Sequence, residues 1–220
     1  ITRIDAVFAN GDALVAPGAT SPVLTNAAGN GIDLASGTSV SGIDVSGASG
    51  DGVNGAGIST TSVGSEVPMT ISGSVGDGVD LSGAGSGAVT IGASITTSGA
   101  RSLAVSGRTG STVTVSGAIT GKGVALSSNT GATISLSGAL ALTTTTTPAF
   151  SATGGGTVST SGSPNTASAG TGGAVIVENT TIGAAGLTFR SASANGAVNG
   201  IRLVNTGATA GLTVTGGGSV

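Results

Sequence analysis

Short triplets with hydrophobic outer residues and a small or polar middle residue recur along the chain. Between residues 79 and 140 they form three sets, in which a second triplet begins 10 residues after the first and a third apolar position follows 6 residues later. The sets begin at Val79-Asp80-Leu81, Leu103-Ala104-Val105 and Val124-Ala125-Leu126. A fixed internal period of this kind is the sequence signature of a protein built from stacked repeats.

Each triplet has the alternation of a short β-strand whose outer residues point inward. Such a strand is not stable alone, but on its copy in the next coil it forms a parallel ladder with strands about 4.8 Å apart. The pattern therefore predicts an all-β fold, a single parallel β-helix (β-solenoid) of about nine coils with about 20–30 residues each. One solenoid segment is predicted over residues 1–220, with an irregular start at 1–25 and a degenerate coil or loop at 143–170.

The middle residues of the second strands are expected to form one outward ladder along the solenoid. These residues are Asp44, Thr70, Thr90, Thr114, Ser135, Ser159, Thr188 and Thr213. A flat hydroxyl array of this kind could bind a ligand, as in ice-binding solenoids, or it could be the solvent side of a strand, where Thr is favoured. We favour the solvent side, because one column is narrow for a lattice-binding plane. Glycines such as Gly73, Gly117 and Gly138 follow these strands, where a corner with positive φ is expected.

Composition excludes several kinds of chemistry. The chain contains 43 glycines, no Cys and no His, and its net charge is −3. Without Cys and His there is no disulfide, no thiolate nucleophile and no imidazole base. Six Lys and Arg residues among 220 form no phosphate-binding stripe, so nucleic acid is not an expected partner. No run of 18 apolar residues occurs, so no membrane span is expected in this segment.

Aspartates near the predicted turns are candidates for two kinds of site. Asp33, Asp77 and Asp80 could bind Ca²⁺, since two Gly-x-Gly-x-Asp pieces match part of a calcium-binding repeat. The tandem nine-residue spacing of that repeat is missing, so solvated carboxylates and no cofactor are the favoured interpretation. Asp77 and Asp80 could also act as acid and base on a polysaccharide, with Arg101, Arg108 and Lys122 nearby. Aromatic platforms for sugar rings are lacking, so we do not expect an enzyme.

Three pieces of sequence resemble a known family. They are GNGIDL at 29–34, GDGVDL at 76–81 and TVSGAI at 114–119, which look like repeats of bacterial autotransporter passenger domains and filamentous-haemagglutinin-like adhesins. The resemblance spans most of 26–142 and, more weakly, 172–220. It implies a right-handed parallel β-helix that is secreted and displayed on a Gram-negative cell surface. Because the last residues fall midway through a coil, we expect this chain to be part of a longer protein or a subunit that stacks end to end.

Three hypotheses on function follow. The first is an extracellular structural or adhesive rod of a bacterial surface protein, acting in cell adhesion, as a stalk or in a matrix. Its partners would be copies of itself, or glycans or proteins of host and cell surfaces. The second is a subunit of a self-assembling extracellular filament. The third is a polysaccharide-binding or polysaccharide-cleaving β-helix, similar to a tailspike or lyase, with a groove lined by Asp77, Asp80, Arg101 and Lys122.

Overall fold

The computed structural model describes residues 21–26 and 28–216, and within them every strand pairs in parallel with its counterpart in the next turn. The fold is an all-β parallel β-solenoid of about eight turns, without a helix in the described residues. This confirms the predicted fold class and corrects the expected number of coils, about nine, to about eight. No helix able to cross a membrane occurs in these residues.

Turns are numbered from the N-terminal side, and turns 1 to 7 each contribute one strand to each of three sheets, here called A, B and C, whereas turn 8, in the described part of the chain, contributes only to A and B. Sheet A contains β1 (Val23–Leu24), β4 (Asp44–Ser46), β7 (Thr70–Ser72), β10 (Ser94–Thr97), β13 (Ile119–Gly121), β16 (Leu140–Thr143), β19 (Thr166–Ala169) and β23 (Ser191–Ala194). Sheet B contains β2 (Ile32–Asp33), β5 (Val53–Ala56), β8 (Val79–Ser82), β11 (Leu103–Ser106), β14 (Val124–Ser127), β17 (Phe150–Thr153), β20 (Val175–Glu178) and β24 (Ile201–Val204).

Sheet C is less regular at its C-terminal end. It contains β3 (Ser39–Val40), β6 (Thr61–Val63), β9 (Val89–Ile91), β12 (Thr112–Val115), β15 (Thr133–Leu136), β18 (Thr157–Thr160) and β21 (Thr181–Ile182). In turn 7 a short bend separates β21 from a further strand. That strand, β22 (Leu187–Phe189), pairs with β25 (Leu212–Val214) as a separate two-stranded sheet.

The core lies between the three sheets and consists of columns of aliphatic side chains. In β11, Leu103 and Val105 are fully buried, whereas Ala104 between them is partly exposed. Leu103 pairs with Val79 on one side and with Val124 on the other, so the same alternation repeats from turn to turn. Each such buried aliphatic side chain contributes about 1.5–3 kcal/mol to folding, which stabilises strands that would not form alone.

Residues 143–170 were expected to form a degenerate coil or loop, and the structure corrects that prediction. Strands β17, β18 and β19 lie there and pair in register with both neighbouring turns. Small inward residues such as Ala152 and Ala167 do not look like a hydrophobic triplet, although both are buried. Phe150 supplies volume instead and packs edge-to-face on Phe189, with ring centroids 5.5 Å apart. Of the expected irregular start at 1–25, residues 1–20 lie outside the described residues.

Glycines make the corners possible in two different ways. Gly73 has a φ of 66°, as a corner with positive φ requires. Gly117 and Gly138 do not have positive φ, which corrects the expectation for them. At these two corners the backbones of successive turns lie so close that a Cβ on Gly138 would overlap the carbonyl oxygen of Gly117. The close approach, rather than the backbone angle, excludes side chains there.

Candidate functional site

A column of charged and amide side chains follows the corner at which the chain enters sheet B. Each member precedes the first inward residue of a sheet B strand by two positions, so the parallel register stacks them. From turn 1 to turn 5 the column contains Asn30, Asp51, Asp77, Arg101 and Lys122. We call these five residues the charged column.

Within the charged column, Asn30 and Asp51 each bind the backbone of the next turn. Oδ1 of Asn30 accepts a hydrogen bond from the N–H of Asp51 at 2.8 Å, and Oδ1 of Asp51 accepts one from the N–H of Asp77 at 2.7 Å. The series ends at Asp77, whose Oδ1 is buried and has no hydrogen-bond partner. A buried acceptor without a donor is costly, so Asp77 is the least satisfied member of the column.

The surroundings of Asp77 favour the protonated carboxyl group. Burial, first, and then the negative charges of Asp51 and Asp80 raise the pKa of Asp77 to about 6. Arg101 in the next turn lowers this pKa, but its effect is smaller than the effects of burial and of the two aspartates. The Arg101 guanidinium does not bind Asp77; its Nη1 donates a hydrogen bond to the carbonyl oxygen of Pro148 at 3.0 Å.

Beside the charged column, the outward face of sheet B carries a second polar row of Asp33, Asn54 and Asp80, which are paired in register. Oδ1 of Asp33 accepts hydrogen bonds from Asn54 at 2.9 Å and from Asn30 at 2.8 Å. These two hydrogen bonds, the one from Asn54 first, lower the pKa of Asp33. Burial, followed by the charge of Asp51, raises the pKa of Asp80.

The three calcium candidates are not gathered around one point. Asp33 lies in turn 1, whereas Asp77 and Asp80 lie in turn 3, with Asn54 between the two turns on sheet B. Nowhere in 21–26 and 28–216 do three carboxylates come close enough to hold a metal ion. The carboxylate of Asp33 is instead held by two amide groups.

The four residues predicted to line a glycan groove do lie at one corner. Asp77 and Asp80 belong to turn 3, Arg101 to turn 4 and Lys122 to turn 5. Together they offer carboxylate acceptors beside cationic donors, which can hydrogen-bond to sugar hydroxyl groups. A carboxyl group whose pKa is raised, as for Asp77, is also the type of group that acts as a general acid.

The predicted outward ladder is not one column, and the structure corrects it. Thr90, Thr114 and Ser135 do follow one another on the outward face of sheet C, with Ser62 before them and Ser159 after them. Thr70, like Asp44, belongs to sheet A, where its neighbour is Ser94. Thr188 and Thr213 pair with each other in the separate sheet of β22 and β25. The prediction failed in turn 2 because β6 begins with a buried Thr61 instead of a hydrophobic residue.

Sheet C also presents a second outward column that the triplet pattern did not reveal. It lies two residues before the first column and consists of Thr112, Thr133, Thr157 and Thr181. These residues flank the triplets and were therefore overlooked. Both columns consist of short hydroxyl side chains without charge, as expected for the solvent side of stacked strands.

Arg108 is placed differently from the other cations. It is fully buried, and its guanidinium donates hydrogen bonds to the carbonyl oxygens of Ile58 at 3.1 Å and Gly87 at 2.6 Å. Burial lowers its pKa. A Cβ on Gly85 would crowd both Nη1 of Arg108 and the carbonyl of Ile58, so this glycine leaves the space that the guanidinium uses. Arg108 therefore belongs to the interior and not to the predicted groove.

A concave region lies on the other side of the solenoid, where sheet C passes into sheet A in turns 6 to 8. It encloses about 390 Å³, and its lining includes Thr160, Ser161, Asn165 and Arg190. One feature of the sequence indicates this region: polar residues occupy positions where the interior column of sheet A is otherwise hydrophobic.

No protein family, curated protein or solved structure matches this chain. The function of the solenoid must therefore be inferred from the arrangement of its own residues.

Proposed function

We propose that this chain is an extracellular structural or adhesive rod of a bacterial surface protein. One observation carries the proposal: turns stack in register around continuous aliphatic columns, while most outward positions of sheets A and C are Ser, Thr or Ala. Such a molecule extends along one axis by repetition and presents long, nearly uncharged faces. Those properties suit a stalk or an adhesive surface.

The sequence resemblance supports the same proposal. The pieces at 29–34, 76–81 and 114–119 that look like adhesin repeats enter or overlap strands β2, β8 and β12 to β13. They therefore coincide with the structural repeat, as they would in an autotransporter passenger domain. On this proposal the rod is secreted, faces the outside of the cell, and has no catalytic activity of its own.

Adhesion can be measured with beads that carry the purified protein by one terminal tag. We expect the beads to be retained on surfaces coated with glycans or extracellular proteins, and beads coated with an unrelated protein of equal charge to be washed off. A panel of polysaccharides is incubated with the same preparation and assayed for new reducing ends and unsaturated products. Sustained turnover would contradict the proposal, and so would equal retention of both kinds of bead.

A second candidate function is glycan processing or glycan binding at the corner that carries the charged column and the neighbouring Asp80. It is favoured by the grouping of Asp77 and Asp80 with Arg101 and Lys122 at one corner, and by the raised pKa values of both aspartates. On this hypothesis Asp80→Asn abolishes cleavage or weakens glycan binding, whereas Asp44→Asn on sheet A has no effect. Identical glycan binding and turnover by both variants would exclude this corner as a glycan site.

A further inference from the structure

Polar residues interrupt one interior column of sheet A near its C-terminal end. Pairing in register makes this column continuous from turn to turn, and in turns 2 to 6 it is aliphatic throughout. In turns 7 and 8 the register brings the buried Asn165 and then the exposed Arg190 to the same position. In order, the members are Val45, Ile71, Ile95, Ile119, Leu140, Asn165 and Arg190. A local departure from an otherwise strict pattern is a feature expected at functional sites.

Asn165 holds the surrounding backbone in a defined shape. The residue is only 2% exposed, and its Oδ1 accepts a hydrogen bond from the N–H of Leu140 at 3.0 Å. Its Nδ2 donates to the carbonyl oxygens of Gly162 at 2.8 Å and Thr188 at 2.9 Å. The amide thereby joins the bend after β18 to strand β22 of the next turn.

The pocket of about 390 Å³ is formed between these two segments. Ser161 and Ser163 lie on the bend, and Thr188 and Arg190 lie on the following turn. A second buried contact fixes their separation, because Oγ1 of Thr160 accepts a hydrogen bond from the N–H of Thr188 at 2.9 Å. The walls are therefore held by two buried polar side chains, and the volume is within the range of small-molecule sites.

The lining of this pocket combines a cation with hydroxyl groups. Arg190 has no ion-pair partner among the residues that the structure describes, in contrast to Arg202, which is paired with Glu178 at 2.6 Å. A guanidinium binds a carboxylate through two parallel hydrogen bonds. The hydroxyl groups of Ser161 and Ser163 can both donate and accept hydrogen bonds, as sugar hydroxyl groups do.

We propose that this pocket binds a carboxylate-bearing sugar residue, such as a uronic acid, with Arg190 holding the carboxylate and Ser161 and Ser163 contacting the sugar hydroxyls. The inference deepens the adhesive function proposed above, on which its biological role rests. It supplies that function with a ligand class, the acidic glycan. The binding itself can be measured without reference to adhesion.

Direct binding is tested by NMR titration of the isotope-labelled protein with glucuronate, glucose and acetate. We expect glucuronate to shift the amide signals of residues around the bend and β22. Glucose lacks the carboxylate and acetate lacks the sugar hydroxyl groups, so each should bind at least about 10-fold more weakly than glucuronate. Equal affinity for glucose, equal affinity for acetate, or no binding of glucuronate would each overturn the proposal.

Three variants locate the site. Arg190→Ala should weaken glucuronate binding by about 10-fold or more, and Arg190→Lys should weaken it less, since the charge remains and the paired hydrogen bonds do not. Arg202→Ala on sheet B, which also loses one cation, should leave the affinity unchanged. Unaltered binding by Arg190→Ala would refute the assignment. If the beads adhere but glucuronate does not bind, the pocket proposal fails and the proposed adhesive rod stands. If glucuronate binds but the beads do not adhere, the pocket proposal stands and the proposed adhesive rod fails.

Discussion

The carboxyl group of Asp77 binds a proton more tightly in the folded chain than in an unfolded one. Its pKa is raised from the usual value of 3.8 to about 6, first by burial and then by Asp51 and Asp80. Between these two values the folded state holds more protons, so the free energy of unfolding decreases as pH rises. The stabilising effect is fully present below the unfolded pKa and is lost as pH rises through about 6.

Replacing Asp77 by Asn should remove this pH dependence. The amide of Asn keeps a side-chain acceptor beside the next turn and carries no charge. We therefore expect Asp77→Asn to raise the free energy of unfolding above pH 6 by about 1 kcal/mol. This value is smaller than the full pKa shift would give, because water screens the charge of a partly exposed carboxylate. Chemical denaturation at several pH values between 4 and 8 measures the effect. Asp33→Asn is the control of opposite sign, because the lowered pKa of Asp33 stabilises the fold at neutral pH and that contribution disappears in acid.

The buried Arg108 fills space as well as donating hydrogen bonds. Arg108→Ala leaves a cavity and removes the donors for the carbonyls of Ile58 and Gly87, so it should lower the free energy of unfolding by about 2–5 kcal/mol. Arg108→Met retains most of the volume and removes a buried charge, and it should cost less than the alanine variant. Urea unfolding of the two variants decides the point. An equal loss for Met and Ala, which both lack the donors, would show that the hydrogen bonds, and not the packing, determine the contribution of Arg108.

At the scale of strands and corners, the spacing between turns is set by backbone contact at glycines. Gly138 lies against the carbonyl of Gly117, and Gly162 lies in the same way against Gly138. Gly138→Ala must push two turns apart, which breaks register on both sides, so we expect a loss of more than about 3 kcal/mol or no folded protein. Gly211→Ala is the matched control, since a Cβ there meets nothing within 4 Å. Melting temperatures of the two variants that differ by only a degree or two would contradict this account.

The strands whose inward residues are large were predictable from the sequence, and those with small or polar inward residues were not. Val79, Leu103 and Val124 identify sheet B because aliphatic columns must be continuous to exclude water. Thr61 in β6 and Ala167 in β19 are buried too, yet neither is hydrophobic enough to reveal a strand. For the candidate sites, the grouping of Asp77 with Lys122 followed from the repeat alone. The pocket beside Arg190 did not, because it depends on a bend held by Asn165.

On the scale of the whole molecule, stability should vary along the axis. Strands pair only with strands of neighbouring turns, although Arg101 and Arg108 each donate one hydrogen bond two turns away, so the solenoid behaves approximately as a row of coupled units. Strand β14 is paired on both sides, with β11 and with β17, and its inward Val124 and Leu126 are buried. All four residues of β24 are exposed, although Ile201 and Leu203 continue the positions of the buried Val175 and Val177. We therefore expect the turns near residue 201 to open at lower free energy than those in the middle.

Hydrogen exchange measured by mass spectrometry tests this gradient. Amides in 201–214 should exchange at least about 10-fold faster than amides in 124–136, because the side chains of β24 are exposed whereas Val124 and Leu126 of β14 are buried. Leu203→Ala, at a half-exposed position of β24, should accelerate exchange in turn 8 and leave turn 5 unchanged. Equal protection along the chain would mean that all turns unfold as one cooperative unit, and the stack could not then be described as coupled independent turns.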